Sequence, residues 1–386
     1  MAKILADLLL SVTIFLSLAV CIYPQARWMS DNSTILGKKQ LNQIALPGAH
    51  DAGTFAISST AGSTIGSGDG LASPDNKNVK RILSLGPVFG DWAKTQERTT
   101  TEMLTDGIRY FDLRVCVDGK GVLMTCHGLF GAPLASMLAD IKKFSDQNPR
   151  EVILLGFNHF WDRAYQIQQN KKQGEIEGLT NENWSQLVTL IKTQLKDSLV
   201  SGSAFSPKSK LSDLWQLKTG NRIIVLFDTE EGPEDDLIWK NREENTWVGG
   251  WDLAAFKAGT LKVLQNAAEK KYADKFYAIR SSVTPDDGGR LISMGIISDI
   301  YPSSVSELAD MTNPVALGWV KNEWAAKYPI NLIWADFYNR HDLVKLAKRI
   351  NGIKVDLRNS KIGTATKWTK WKKKDGEQKS IFDILN

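Results

Sequence analysis

The sequence has 386 residues, 42% of them hydrophobic and 24% charged, with 48 Lys and Arg against 43 Asp and Glu for a formal net charge of +5. This composition excludes a disordered or collagen-like chain, and the length suits one α/β barrel or two medium domains around a substantial core. So mild a charge, without a long Lys/Arg block, gives no support to a nucleic-acid partner.

Behind Lys3, Ile4 to Tyr23 form an apolar run broken only by Asp7 and small hydroxyls. A run of roughly 20 residues fits a bilayer crossing, its position behind one Lys fits a secretory signal, and a buried helix is a third possibility. No clean small-x-small cleavage site follows. Residues 1–26 are therefore read as a signal peptide or N-terminal membrane anchor, with a secreted or extracellular membrane-associated location as the expectation. Ile44-Ala-Leu46 then reads as a short strand entering the Gly-bounded loop Pro47-Gly-Ala-His50-Asp51-Ala-Gly53. Residues 57–77, rich in Ser, Gly, Thr and Asn, read as a long surface loop. Trp92 to Leu104 reads as one helix leading into the next strand.

That strand is Gly107-Ile-Arg-Tyr-Phe-Asp-Leu-Arg-Val115. Alternation puts Asp112 and Arg114 on one face, with Phe111, Leu113 and Val115 on the other. The turn Asp118-Gly-Lys-Gly121 folds the chain back through Leu123 to His127 and Gly128, so that a carboxylate, a guanidinium and an imidazole can converge. A guanidinium fork matches a phosphate, and His exchanges protons near neutral pH. Cys116 and Cys126 flank this turn. In an exported protein they can form a disulfide, and otherwise they are two buried thiols.

Beyond it, Leu134, Met137, Leu138, Ile141 and Phe144 fall at helical spacing, and Asn148-Pro149 precedes the continuous apolar run Glu151-Val-Ile-Leu-Leu155 of a buried parallel strand. The alternation continues with a helix from Trp184 to Leu195 and a strand at Arg222–Asp228. A weaker strand follows at Phe276–Ile279, then a helix from Val315 to Tyr328, a strand at Asn331–Asp336 and a helix from His341 to Ile350. Alternating strands and helices predict a parallel sheet with helices outside. No Gly-x-Gly-x-x-Gly loop is present, and His50, Arg114, His127, Asn158, Asp228 and Asp336 all stand at strand ends. Over residues 27–350 these features favour a closed (β/α) barrel rather than an open doubly wound sheet, with about seven strands against the eight of a full barrel. Residues 351–386 read as a basic Trp- and Lys-containing tail, in which Lys367-Trp-Thr-Lys-Trp-Lys-Lys-Lys374 suits either an anionic membrane surface or a solvated end packed on the domain.

The blocks Leu46-Pro-Gly-Ala-His-Asp51, Gly107-Ile-Arg-Tyr-Phe-Asp-Leu-Arg114, Cys126-His-Gly128, Asn148-Pro-Arg-Glu-Val-Ile-Leu-Leu155 and Trp334-Ala-Asp-Phe337 resemble the X-domain of phosphatidylinositol-specific phospholipase C, in its bacterial type and the related X-domain-containing proteins. The resemblance implies a distorted TIM barrel acting at a phospholipid surface and cleaving an inositol phospholipid to diacylglycerol and an inositol cyclic phosphate. It makes His50 the general base, oriented by Asp336, and His127 the general acid, paired with Asp51. Asp112 would hold Arg114, whose guanidinium would neutralise a phosphate oxygen. Arg114 fills the place of a carboxylate metal ligand in the calcium-dependent branch, so no metal or other cofactor is expected. Asn158 and Asp228 fall where the bacterial enzymes place basic side chains on the sugar, which leaves them as candidate substrate-binding residues and the headgroup open. Two alternatives remain: a metal-dependent glycerophosphodiesterase-like or sphingomyelinase-D-like enzyme, and a catalytically silent lipid-binding protein. Nothing in the pattern calls for a dimer, so a monomer is the expectation.

Overall fold

Burial along the central strands does not alternate with solvent, because each strand is covered on both faces. In the computed structural model, which describes residues 25–57, 87–171, 175–217, 220, 222–244, 253–283 and 302–364, strands β1 (Leu46–Ala49) and β6 (Ile223–Phe227) are buried at every position. The other strands are β2 (Tyr110–Val117), β3 (Leu123–His127), β4 (Leu129–Pro133), β5 (Ile153–Trp161), β7 (Ile238–Lys240), β8 (Glu243–Glu244), β9 (Phe276–Arg280) and β10 (Leu332–Ala335). Their order is β7-β6-β5-β2-β1-β10-β9-β8, and every pairing along that path is parallel. The two outermost strands are consecutive in sequence, separated only by Asn241 and Arg242. The sheet therefore returns on itself through one interrupted segment, and the result is a nearly closed parallel barrel of eight strands. Asn241 is left-handed, with φ of 53°. Its N–H donates to Phe227 on one side, while Arg242 accepts from Phe276 on the other.

One face of each strand looks into the barrel and the other towards the helices. Tyr110, Leu154, Ile224, Leu226, Trp239, Phe276, Leu332 and Trp334 belong to the interior cluster. Phe111, Leu155, Phe157, Val225, Phe227 and Ile333 pack instead against helices such as Leu134–Gln147, Asn181–Leu195 and Leu343–Ile350. Tyr110 crosses the interior, and two glycines make room for it. A Cβ on Gly48 would lie 2.7 Å from its ring, and one on Gly156 would lie 2.5 Å from its hydroxyl. Those two positions accept no side chain without moving the barrel.

The alternation of elements is as expected, with four corrections. The first strand is not Ile44–Leu46 but Leu46–Ala49, so that Pro47, Gly48 and Ala49, expected in a loop, pair with Ile333, Trp334 and Ala335 of β10. Trp92 to Leu104 is not one helix. A helix ends at Ala93, residues 94–99 are irregular, and a second helix, Thr100–Asp106, begins at a capping box in which Thr99 accepts from Glu102 N–H and Glu102 returns a bond to Thr99. That box nucleates a new helix where the periodicity had suggested continuity. The helix expected from Val315 spans Val305–Trp319, ten residues earlier, and passes through Pro314 before a π-helical turn at Val320–Trp324. Ser304 caps it by accepting from Glu307 N–H. The barrel's packing also continues past residue 350. Ile353, Leu357 and Ile362 are buried, and the Asn351 side chain bonds both backbone groups of Ala45. The apolar N-terminal run through Tyr23, the segment read as a loop beyond Ile57, and the Trp/Lys tail lie outside the described residues.

Candidate active site

Each parallel strand delivers its last inward residue to one end of the barrel, where a TIM-type barrel builds its chemistry. His50 and Asp51 follow β1, Asp112 and Arg114 lie on β2, His127 ends β3, Asn158 lies on β5, and Arg280 ends β9. Asp336 follows β10, and Asp228 follows β6 at the exposed rim. A bulge contributes: β2 and β5 run in register to Leu113↔Phe157 and resume at Arg114↔His159, so that Asn158 is the extra residue. Freed from the ladder, its amide donates to Asp112 Oδ1.

His50 is buried and its Nδ1 lies 2.6 Å from Asp336 Oδ1. That bond places the Nδ1 proton on the carboxylate side and turns Nε2 into the site. His127 is held similarly by a different partner. Its Nδ1 donates to the Ala93 carbonyl at 2.8 Å, so its Nε2 also faces inward. The two rings stand 6.5 Å apart, centroid to centroid. Between them sits Asp51, whose Oδ2 is 3.3 Å from His50 Nε2 and 3.9 Å from His127 Nε2. Its Oδ1 is 2.6 Å from Arg114 Nε. Asp51 is left-handed, with φ of 42°, and Asp112 stabilises that turn by accepting from its N–H at 3.0 Å. Asp112 thus braces the loop and takes the Asn158 amide, while Asp51 carries the Arg114 charge.

The electrostatics follow from this packing. Burial pushes the Asp51 carboxyl up, but Arg114, His50, His127 and His159 together hold it down at about 2. Burial pulls His50 down, yet Asp51, Asp336 and Asp112 raise it, leaving it above its ordinary value. His50, Asp51 and Asp112 offer ligand atoms within 4.8 Å of one another, the one such group among the described residues. One imidazole and two carboxylates, with a guanidinium already against Asp51, supply fewer oxygen ligands than the six to eight Ca²⁺ takes.

Arg280 was not among the expected site residues. Its guanidinium lies 4.7 Å from the Trp334 ring centroid, and the His50 ring packs against the same indole, tilted, at 4.4 Å between centroids. Burial lowers its pKa to about 10 despite Asp112. The available signal was its place as the last inward residue of a strand whose apolar run had already suggested a strand. A disulfide joins Cys116 and Cys126, tying the strand of Arg114 to the residue before His127.

No family model matches the chain. Among solved structures, the fold is similar to phosphatidylinositol-specific phospholipase C from Staphylococcus aureus, with a TM-score of 0.55 and 18% identity over 86% of this chain and 98% of that one. The enzyme of the same name from Listeria monocytogenes gives a TM-score of 0.50 and 16% identity over 86% and 99%. The fold is thus a barrel similar to those of bacterial phosphatidylinositol-specific phospholipases C. Among curated relatives, PI-PLC X domain-containing protein 3 of Danio rerio is 24% identical over 341 residues, covering 84% of this chain and 93% of that protein. PI-PLC X domain-containing protein 2 of Mus musculus is 23% identical over 339 residues, covering 86% and 89%. The chain is a homologue of the PI-PLC X domain-containing proteins over most of its length.

Proposed function

We propose that the protein is a metal-independent phosphodiesterase of the phospholipase C type, cleaving phosphatidylinositol-type lipids at a membrane surface. The observation that carries this reading is the pair of inward-facing Nε2 atoms, His50 and His127, on either side of Asp51 and its partner Arg114. His50 Nε2 takes the proton of the inositol hydroxyl adjacent to the phosphodiester. The alkoxide forms a new P–O bond, and the bond to the diacylglycerol oxygen breaks as His127 delivers a proton to it. An inositol cyclic phosphate and diacylglycerol are the products. Asp336 supports the imidazolium that forms on His50, and Arg114 balances charge on a non-bridging oxygen. Asn158 and Asp228 stand towards the sugar hydroxyls, with Arg280 as the further cation of the site.

The test is cleavage of phosphatidylinositol vesicles in EDTA, with identification of the water-soluble product. Inositol cyclic phosphate is expected. Activity that appears only on adding Ca²⁺ or Mg²⁺ would overturn the metal-independent reading and turn attention to the His50, Asp51 and Asp112 group. No product under either condition would favour a silent lipid-binding protein.

A further inference from the structure

The four residues Ala93 to Gln96 touch His127, His50 and the residues on either side of Asp336. The Ala93 carbonyl accepts from His127 Nδ1 at 2.8 Å. The Thr95 carbonyl accepts from Phe337 N–H at 2.7 Å, one residue beyond Asp336. Thr95 Oγ1 lies 3.0 Å from the His50 carbonyl oxygen. Gln96, fully buried, donates from Nε2 to the His50 carbonyl at 2.9 Å and to the Ala335 carbonyl at 2.8 Å. Phe337 is left-handed, with φ of 44°, so the chain turns sharply after Asp336 just as it does after His50. Such turns persist only where the surroundings over-determine them.

We infer that Ala93–Gln96 is the positioning strap of the site, and that Gln96 sets the registry between His50 and Asp336 by bridging the ends of β1 and β10. This rests on the proposed phosphodiesterase reading and adds residues that touch no reacting atom. The bridge is specific in its chemistry. One amide nitrogen supplies two N–H donors to two carbonyls on neighbouring strands, which a carboxylate or an aliphatic side chain cannot do. The break in helix between Ala93 and Thr100 is what turns these backbone and side-chain groups towards the strand ends. The interior polar groups of the strap, unfavourable in a helix packed on an apolar core, become its function.

The strap is tested by proton NMR and kinetics on Gln96→Leu. In the wild-type protein the proton between His50 Nδ1 and Asp336 Oδ1, atoms 2.6 Å apart, should give a low-field resonance that His50→Ala removes. Gln96→Leu should shift that resonance upfield or broaden it away with the circular dichroism spectrum retained. Under the proposed activity, kcat should fall roughly 10–100-fold with KM little changed, the size expected of a small displacement of a catalytic group. An unmoved resonance in folded Gln96→Leu overturns the inference. Should that variant not fold, Thr95→Val, which removes one hydroxyl from the same carbonyl, is read by the same resonance and with the same two outcomes. The NMR result stands even where no phosphodiester is turned over, so failure of the strap and failure of the proposed reaction are separable.

Discussion

At His50 two opposing effects meet, and their balance sets a pH dependence. Burial lowers the imidazole's pKa, while Asp51, Asp336 and Asp112 raise it by more. A base must be neutral to act, so a raised pKa moves the acid limb of kcat/KM above the ordinary value of about 6.5. Asp336→Asn removes one raising charge and should move that limb to lower pH while reducing the rate. A limb that stays in place would mean that another group is the base. His50→Ala and His127→Ala should each cost roughly 10²–10⁴-fold, the usual contribution of a positioned acid or base. Arg114→Lys should also lose most activity in the same vesicle assay, because an ammonium lacks the planar fork. These residues were legible in the sequence because they are scarce and oddly placed: of four histidines, His50 and His127 stand at strand ends in glycine-flanked turns. Arg280 was not, since its one signal, closing an apolar run, is shared by many structural arginines until the barrel turns it onto Trp334. Nor could spacing show that Arg114 Nε would lie 2.6 Å from Asp51, because that contact joins two strands whose relative height only the sheet sets.

Between single residues and the whole barrel lies the interrupted segment β7–β8, which escaped the sequence pattern. Its two pieces are three and two residues long, too short for any period, and a left-handed Asn241 parts them. What it brings to the interior is Glu243, buried, with Tyr110 donating to its Oε1 at 2.7 Å. Burial raises the carboxyl to about 8, and Asp112 and Asp228 add to the rise against the Tyr110 bond. The native state therefore keeps a proton that the unfolded chain gives up near its ordinary value of 4.5. Where the native state binds more protons, stability falls as pH rises, here across the window from about 4.5 to about 8. Glu243→Gln keeps a group that can accept from Tyr110 and removes the titration. Its urea-unfolding free energy should decline less between pH 5 and pH 8 than that of the wild type, by an amount on the order of a few kcal/mol. Parallel declines in the two proteins would show that Glu243 is already ionised in the folded barrel. The long strands and helices, by contrast, were legible, because their apolar runs extend over a turn or more and end in Asn148-Pro149 or Gly107.

At the scale of the molecule, a buried ion pair stands at the end of the strands opposite the site. Arg109 NH2 lies 2.7 Å from Glu151 Oε2, with both side chains fully buried. The guanidinium also donates to the carbonyls of Leu104, Ile108 and Ala26 at 2.9, 2.7 and 2.6 Å. Glu151 accepts in turn from the N–H groups of Met29 and Ser30. Trp28, whose indole donates to Gly107, docks beside them. One pair therefore joins the segment at residues 26–30, the turn before β2 and the entry to β5. Taking two charges out of water costs free energy that their attraction repays only when every remaining donor and acceptor is satisfied, as it is here by five backbone groups. Removing one partner leaves the other charged and buried. Arg109→Met should thus lower the unfolding free energy by about 3–5 kcal/mol, and Glu151→Leu by a similar amount. The double variant removes both charges and should be destabilised by much less than the sum. Chemical denaturation of the four proteins gives the coupling directly, since each substitution acts at the same contact. Additive losses would mean that the pair contributes only its backbone bonds, and that the N-terminal segment is held by the packing of Trp28 and Met29 alone. Because this pair lies across the barrel from His50, any folded variant of it should retain the site's geometry, and loss of stability without loss of kcat would separate the two ends of the molecule.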